Sequence, residues 1–252
     1  MDQKKHNEKI VAQFSKQASG YTSLPSHSEA LERLLQLSSV QQDDNVLDIA
    51  CGSGIVSCEF AKIARHVTGI DMTVKMIDEA RKLQVKKGLQ KISWEIGDVT
   101  DLPYADNHFS IVVSRFGFHH FLNPFQVLSE MKRVCKPKGV VMVVDVSLPD
   151  TKIEKFNEME KNRDNSHVAA LSYTAFQKLF KKAGFSQVQQ DEYVMQIGFD
   201  EQLAASFPTN IEALRKMILQ DVGKDELGVN VTKINEKVYL NYPIHIFCAR
   251  KS

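Results

Sequence analysis

The sequence predicts an α/β fold in which a mostly parallel sheet carries helices on both faces. Short apolar segments alternate with amphipathic segments over residues 46–146, as expected of parallel strands joined by helices. Two glycines, Gly52 and Gly54, follow the first apolar segment directly. Asp71 ends the second segment, and Asp98 closely follows the third. Because parallel strands end at one edge of a sheet, these features predict a ligand site at that edge.

The first predicted strand is buried and leads into a ligand-binding loop. Residues 46–50 are mostly apolar, as in a strand covered on both faces. Gly52 and Gly54 have no Cβ atom, so the backbone can turn sharply and approach a ligand. The helix predicted over residues 55–65 directs its free N–H groups into this loop. Asp48 interrupts the apolar run and is expected to have a partner, such as backbone amides or a ligand cation, because an unpaired buried carboxylate is costly.

The composition is ordinary for a globular protein. Of the 252 residues, 43% are hydrophobic and 25% charged, and the net charge is +1. This balance argues against an electrostatic nucleic-acid binder. No apolar run approaches the roughly 20 residues that span a bilayer, and the polar start lacks the apolar stretch of a signal peptide, so a cytoplasmic location is expected. The four cysteines are expected to be buried free thiols, and no metal site is expected because no cluster has metal-ligand spacing.

The other elements follow from periodicity and from capping residues. An N-terminal pair of helices is predicted over residues 6–18 and from Ser26 onward, with Tyr21 in the loop between them. The further predicted strands of the core cover residues 65–71, 92–96, 109–115 and 140–146. Helices are predicted over 73–87, from Asn123 and Pro124, from 153, over 173–183 and over 200–221 with a break at Pro208; later strands cover 185–198 and 238–250.

These elements predict one domain over residues 1–252, without repeats or linkers. Residues 1–40 form a helical cap, and residues 41–150 form the ligand-binding core. Residues 151–252 form a C-terminal half with a helical insertion at about 199–237. The oligomeric state does not follow from the sequence.

Four motifs in this order resemble the class I S-adenosylmethionine-dependent methyltransferases. They are residues 46–54, 67–71, 97–98 and 128–139. The resemblance covers about residues 40–150 and is strongest to the type 11 branch, which includes the ubiquinone and menaquinone biosynthesis C-methyltransferases. Ala50 departs from the pattern, because the family most often has its first glycine there.

The resemblance implies a Rossmann-like sheet of seven strands whose final strand, residues 238–250 here, is antiparallel. It also implies S-adenosyl-L-methionine as cofactor and a small-molecule methyl acceptor, with O-, N- or C-methylation left open. The Gly52 to Gly54 loop would lie along the amino-acid part of the cofactor, and Asp48 would lie near its ammonium group. Ala50 would also belong to the cofactor-binding residues. Asp71 would accept from the ribose hydroxyls.

The remaining implied roles concern adenine and the reacting end. Met72 would pack against adenine, and Asp98 would accept from its amino group with Val99 alongside. The other implied site residues are Ser114 and Arg115, which would flank the methionine moiety and the substrate, and Tyr21, which would close over the cofactor. His119, His120 and Tyr21 are the candidate catalytic residues, because imidazole can act as a base near neutral pH.

Each site residue also has a purely structural interpretation. The carboxylates could cap backbone amides at helix starts and turns, and Met72 could belong to the core. Tyr21, His119 and His120 could be packed, hydrogen-bonded residues. Two other functions compete: an NAD(P)-dependent oxidoreductase, whose glycine fingerprint requires a glycine at Ser57, and a catalytically silent S-adenosylmethionine-binding module.

Overall fold

A central eight-stranded sheet with helices on both faces organises the chain. The computed structural model describes residues 2–28, 30–208 and 210–252, and for residues 21–23, 25 and 27 it describes the backbone alone. The strands are β1 (Asn45–Ile49), β2 (His66–Asp71), β3 (Ile92–Ile96), β4 (Phe109–Arg115), β5 (Cys135–Val146), β6 (Val188–Gly198), β7 (Thr232–Ile234) and β8 (Lys237–Arg250). The helices are α1 (Gln3–Ser23), α2 (Leu31–Ser38), α3 (Ile55–Phe60), α4 (Val74–Lys86), α5 (Pro124–Val134), α6 (Ile153–Arg163), α7 (Tyr173–Lys182), α8 (Phe199–Ser206) and α9 (Ile211–Gln220).

The strand order places a crevice at the carboxyl ends of β1 and β4. The order is β3-β2-β1-β4-β5-β8-β6, and the first five strands in the chain are parallel. β1 pairs with β2 on one side and with β4 on the other, so the direction of winding reverses there. Ligands of open parallel sheets bind at this kind of switch point. The sheet therefore directs the loops after β1 and β4 toward one shared space.

The predicted mostly parallel sheet with an antiparallel final strand is confirmed. β8 pairs antiparallel with both β5 and β6. The predicted count of seven strands was too low, because β7 forms a hairpin with β8. Asn235 and Glu236 both have positive φ angles, 46° and 67°, as a tight hairpin turn requires. A three-residue strand is too short to show a period in sequence.

α1 is longer than the sequence predicted, and Tyr21 lies in its last turn rather than in a loop. Gly20 suggested a helix end, yet it serves the close packing of α1 on α8. A Cβ atom at Gly20 would lie 3.2 Å from the Cα atom of Ala205. The amide of Gln13 also donates to the carbonyl of Ser206 over 2.7 Å. Contacts with the distant insertion therefore carry the helix past the glycine.

Two other helix bounds were wrong. The second helix begins at Leu31 instead of Ser26, since residues 25–28 form a 3₁₀ turn. α3 ends at Phe60 rather than near residue 65. The amides of Arg65 and His66 both reach the carbonyl of Asp44, at 3.0 and 3.4 Å, so tertiary hydrogen bonds replace the last helical turn. By contrast, Asn123 caps α5 through the amide of Gln126, as predicted.

Candidate active site

A cleft lies at the carboxyl ends of β1, β2 and β4, beneath α1; we call it the glycine-loop cleft. Its empty volume, including the solvent at its open mouth, is about 770 Å³. The residues that line it are Ile10, Phe14, Ala50, Cys51, Gly52, Ser53, Ile55, Val56, Asp71, Met72, Met76, Gly97, Val99, Arg115, Phe116, Gly117, His120 and Phe121. The cleft therefore joins the N-terminal helix to the loops that the sequence singled out.

The loop after β1 owes its shape to left-handed backbone conformations. Ala50, Gly52 and Gly54 have φ angles of 51°, 51° and 75°. Ala50 adopts this conformation despite its Cβ atom, which costs about 1–2 kcal/mol. A Cβ atom at Gly52 would meet nothing within 4 Å, so the loop backbone faces open space there. A Cβ atom at Gly54 would lie 2.3 Å from the Trp94 ring, so Gly54 serves close packing on β3.

We expect Gly54→Ala to destabilise the fold by about 2–5 kcal/mol, which combines the left-handed backbone with overpacking against Trp94. Gly52→Ala is the matched control, because it has the same backbone cost, about 1–2 kcal/mol, but no clash. Free energies of unfolding from denaturant titration would check this. Equal losses in the two variants would show that the Trp94 ring moves aside.

Asp71 ties the glycine loop to the start of α4. Its Oδ2 atom accepts from the amide of Gly52 at 2.9 Å, and its Oδ1 atom accepts from the amide of Thr73 at 2.8 Å. Burial raises the pKa of Asp71, and the two amide bonds oppose that shift. Each carboxylate oxygen can accept one further hydrogen bond. Because Asp71 lines the cleft, it can hold a ligand with two hydroxyl groups.

Asp48 lies behind the loop and does not line the cleft. It is 1% exposed, and its Oδ2 atom accepts from the hydroxyl of Ser57 at 2.5 Å. Burial raises the pKa of Asp48 to about 7. The sequence predicted a partner for this carboxylate, and within the described chain a serine supplies it. An oxidoreductase fingerprint would have glycine at Ser57, where the hydroxyl anchors Asp48 to α3.

Asp98 lies at the edge of the cleft, between Gly97 and Val99, which both line it. Its Oδ1 atom accepts from the amide and the hydroxyl of Thr100, at 2.9 and 2.8 Å. Its Oδ2 atom accepts from the side-chain amide of Asn7 in α1 at 2.7 Å. The carboxylate is thus held by its own turn and by the N-terminal helix.

The other predicted site residues divide between the cleft and its supports. Met72 and Arg115 line the cleft, and a guanidinium nitrogen of Arg115 donates to the hydroxyl of Tyr193 at 3.1 Å. Ser114 is fully buried and does not line it. The side chain of Tyr21 lies outside the described residues, so its predicted contact remains a prediction.

A second pocket adjoins the glycine-loop cleft; its empty volume, including the solvent at its mouth, is about 720 Å³. Phe14, Phe116 and His120 line both spaces. The other residues that line the second pocket are Gln17, Leu24, His119, Asp145, Val146, Phe156, Glu160, Arg163, Asp164, Met195, Ile197, Gln202, Ala205, Ser206, Tyr242 and Ile244. α1 and the insertion helix α8 both contribute to its walls. Two ligands could therefore meet at the shared boundary.

His119 and Asp145 form a buried pair in the second pocket. The Nδ1 atom of His119 lies 2.6 Å from Oδ1 of Asp145, which is 1% exposed. Burial alone would lower the pKa of His119, but attraction to Asp145 outweighs it and raises that pKa. With Nδ1 committed to the carboxylate, the Nε2 atom is left as the proton-exchanging atom.

His120 is held as a neutral imidazole at the boundary of the two spaces. Its Nδ1 atom lies 3.1 Å from the carbonyl of Ser166 and must carry a proton to donate there. Burial, and next the nearby His119, lower the pKa of His120 to about 4. Its Nε2 atom is therefore unprotonated near neutral pH and can accept a hydrogen bond.

Sequence reasoning missed Asp145, although a signal was present. Asp145 is the single charged residue in the apolar run 140–146 and lies next to its end, as Asp48 does in β1. The same argument that singled out Asp48 applies to Asp145. The polar wall of the second pocket had no such signal, because its members come from separate parts of the chain. Glu160 and Arg163 lie on α6, Asp164 directly follows α6, and Tyr242 lies on β8.

Among the residues described, no group of three or more His, Cys, Asp or Glu side chains is arranged to hold a metal ion. No helix in the described part of the chain has the length and apolar character needed to cross a membrane.

The chain is similar to known methyltransferases in sequence and in fold. A family model described as a methyltransferase domain, type 11, matches residues 47–143. The chain is 27% identical over 191 residues to the uncharacterized methyltransferase YcgJ of Bacillus subtilis (strain 168), a match covering 74% of this chain and 76% of YcgJ. It is 35% identical over 139 residues to the ubiquinone/menaquinone biosynthesis C-methyltransferase UbiE of Bdellovibrio bacteriovorus, covering 54% of this chain and 58% of UbiE. The crystal structure of YcgJ has the same fold, with a TM-score of 0.79 at 23% identity over 89% of this chain and 98% of that one.

Proposed function

We infer that this chain is a class I S-adenosylmethionine-dependent methyltransferase, in keeping with the family model and the relatives that it matches, and that it transfers the cofactor's methyl group to a small molecule in the second pocket. The observation that carries this proposal is the shared boundary of the two spaces at Phe14, Phe116 and His120. A methyl donor in the glycine-loop cleft and an acceptor in the second pocket would meet there. Binding both in line accounts for most of the catalysis that such a reaction needs.

The glycine-loop cleft fits the cofactor. Gly52 leaves the loop backbone open to a close ligand, and Asp71 keeps one accepting position on each oxygen for the ribose hydroxyls. Met72 and Val99 offer apolar surface for adenine, with Asp98 at the edge for its amino group. Asp48, Gly54 and Ser114 support these elements from behind. S-adenosylmethionine itself supplies an electrophilic methyl group on its sulfonium.

The walls of the second pocket favour an acceptor without negative charge. Three carboxylates, those of Asp145, Glu160 and Asp164, line it, against the cations Arg163 and, when protonated, His119. Arg163 is already paired with Glu160 at 2.6 Å. An anionic acceptor would meet like charges in a poorly solvated space. The apolar wall, which includes Phe14, Phe116 and Phe156, suits a ring or chain compound, and UbiE is named for quinone biosynthesis.

His119 is the proposed general base. Asp145 raises the pKa of His119, which makes its imidazole a stronger proton acceptor, whereas burial lowers the pKa of His120 to about 4. His120 can instead accept a hydrogen bond from a second polar hydrogen of the acceptor and orient it. As the acceptor atom bonds to the methyl group, the proton of that O–H or N–H group passes to Nε2 of His119, and Asp145 stabilises the imidazolium.

An acceptor screen with methyl-labelled cofactor tests this function. Each ring compound with a hydroxyl or amine would be assayed beside an analogue that also carries a carboxylate. We expect the uncharged member of a pair to have a kcat/KM at least about tenfold higher, because like charges repel in a low dielectric. A consistent preference for the carboxylates would contradict the proposed acceptor class. Calorimetric binding of the cofactor without label transfer to any compound would contradict the second pocket as acceptor site.

A further inference from the structure

The first turns of α1 place Asn7 against the carboxylate proposed to recognise adenine. We propose that Asn7 is a positioning residue of the cofactor site, which holds Asp98 so that it can select the 6-amino group of adenine. This inference rests on the proposed function. The contact joins residues 91 positions apart, with the Nδ2 atom of Asn7 donating to Oδ2 of Asp98 over 2.7 Å.

The hydrogen bonds of Asp98 leave one of its oxygens with spare accepting capacity. A carboxylate oxygen accepts about two hydrogen bonds. Oδ1 already receives two, from the amide and the hydroxyl of Thr100. Oδ2 receives the Asn7 bond, so a further donor must approach this oxygen. Asn7 therefore fixes the position of the atom that an adenine amino group would reach.

Contacts of neighbouring side chains on α1 hold Asn7 in place. His6, the preceding residue, is 1% exposed, and its Nε2 atom lies 2.7 Å from the carbonyl of His120. Ile10 and Phe14, at i+3 and i+7 from Asn7, line the glycine-loop cleft. The helix thereby connects the adenine end of the cleft to the boundary with the second pocket.

The role of Asn7 can be tested by measuring how strongly the protein prefers a ligand with the 6-amino group of adenine to one without it. Dissociation constants for S-adenosylhomocysteine and for its 6-oxo analogue, S-inosylhomocysteine, would be determined by calorimetry. Asp98→Ala should abolish the wild-type preference for the amino compound. Asn7→Leu should reduce that preference about threefold to tenfold, as expected for the loss of one supporting hydrogen bond. Affinity for the 6-oxo analogue should not change.

Controls separate positioning from helix damage. Glu8→Leu, on the exposed side of the next helical position, should keep the wild-type preference. Asn7→Asp retains the side-chain size but sets a second carboxylate against Asp98, so this variant should lose the preference for the amino compound. Thermal melting would check that each variant folds. The role of Asn7 would be overturned if Asn7→Leu and Asn7→Asp bound both ligands more weakly by the same factor. It would also be overturned if both variants kept the wild-type preference for the amino compound. A wild type that binds both ligands equally would overturn the adenine role of Asp98 and this inference, while leaving the cofactor cleft itself intact.

Discussion

His119→Ala is expected to lower kcat by about 10²–10⁴-fold, the usual contribution of a general base, with little change in KM. The imidazole is paired to buried Asp145 over 2.6 Å and lines the second pocket. Steady-state methyl transfer to an acceptor found in the screen would measure the effect. His108→Ala is the matched control, because His108 is exposed and precedes β4 at the opposite edge of the sheet.

The pH profile distinguishes a base from a structural residue. A base must be unprotonated, so kcat should fall as the pH falls through the pKa of His119. Because that pKa is raised, the fall should be centred above the ordinary histidine value of about 6.5. Asp145→Asn removes the attraction that raises this pKa, so it should move the fall to lower pH. A wild-type kcat in His119→Ala would show that alignment and desolvation alone drive the reaction, with water or the substrate as base.

Asp71→Ala is expected to weaken cofactor binding at least about a hundredfold, because two hydrogen bonds to a charged acceptor are each worth about 1.5–3 kcal/mol. The loss of affinity has a second source, because the amides of Gly52 and Thr73 would lose their hydrogen-bond acceptor. The glycine loop would then no longer be anchored to the start of α4. Calorimetry with S-adenosylhomocysteine would measure the dissociation constant.

Asp78→Ala is the matched control for Asp71→Ala. Asp78 lies on α4, and its ion pair with Arg81 is exposed, so its removal should leave binding unchanged. Denaturant titration of both variants would show how much of the Asp71 effect is loss of stability. A dissociation constant within about twofold of the wild type, less than the loss of one net hydrogen bond, would remove Asp71 from the cofactor site.

Local patterns predicted the sheet well. The predicted bounds of β3 and β4 match the structure, and α5 begins at the predicted cap. Such elements are specified by residues close in the chain: alternating or continuous apolar runs for strands and a side-chain cap for the helix. Errors arose where a distant contact decided the outcome, as at Gly20, which packs on Ala205 instead of ending α1.

The candidate site shows the same division. The sequence pointed to the glycine loop and to Asp71, because both lie at the ends of recognisable strands, and to His119 and His120 together, because imidazole can act as a base. It did not show that Asp48 is held by Ser57 away from the cleft or that Asp98 is bonded to Asn7. Nor did it show which histidine is paired with a carboxylate, since Asp145 lies 26 positions from His119.

The sequence by itself determined the alternating α/β order, the positions of the glycines and acids at strand ends, and the family that these motifs resemble. Only the tertiary structure decided which side chains share a space. It set α1 over the glycine-loop cleft and the second pocket, brought the insertion to the second pocket, and gave neighbouring His119 and His120 opposite pKa shifts. The physical reason is that secondary structure follows local periodicity, whereas burial and the partners of a charged group depend on residues that folding brings together from distant parts of the chain.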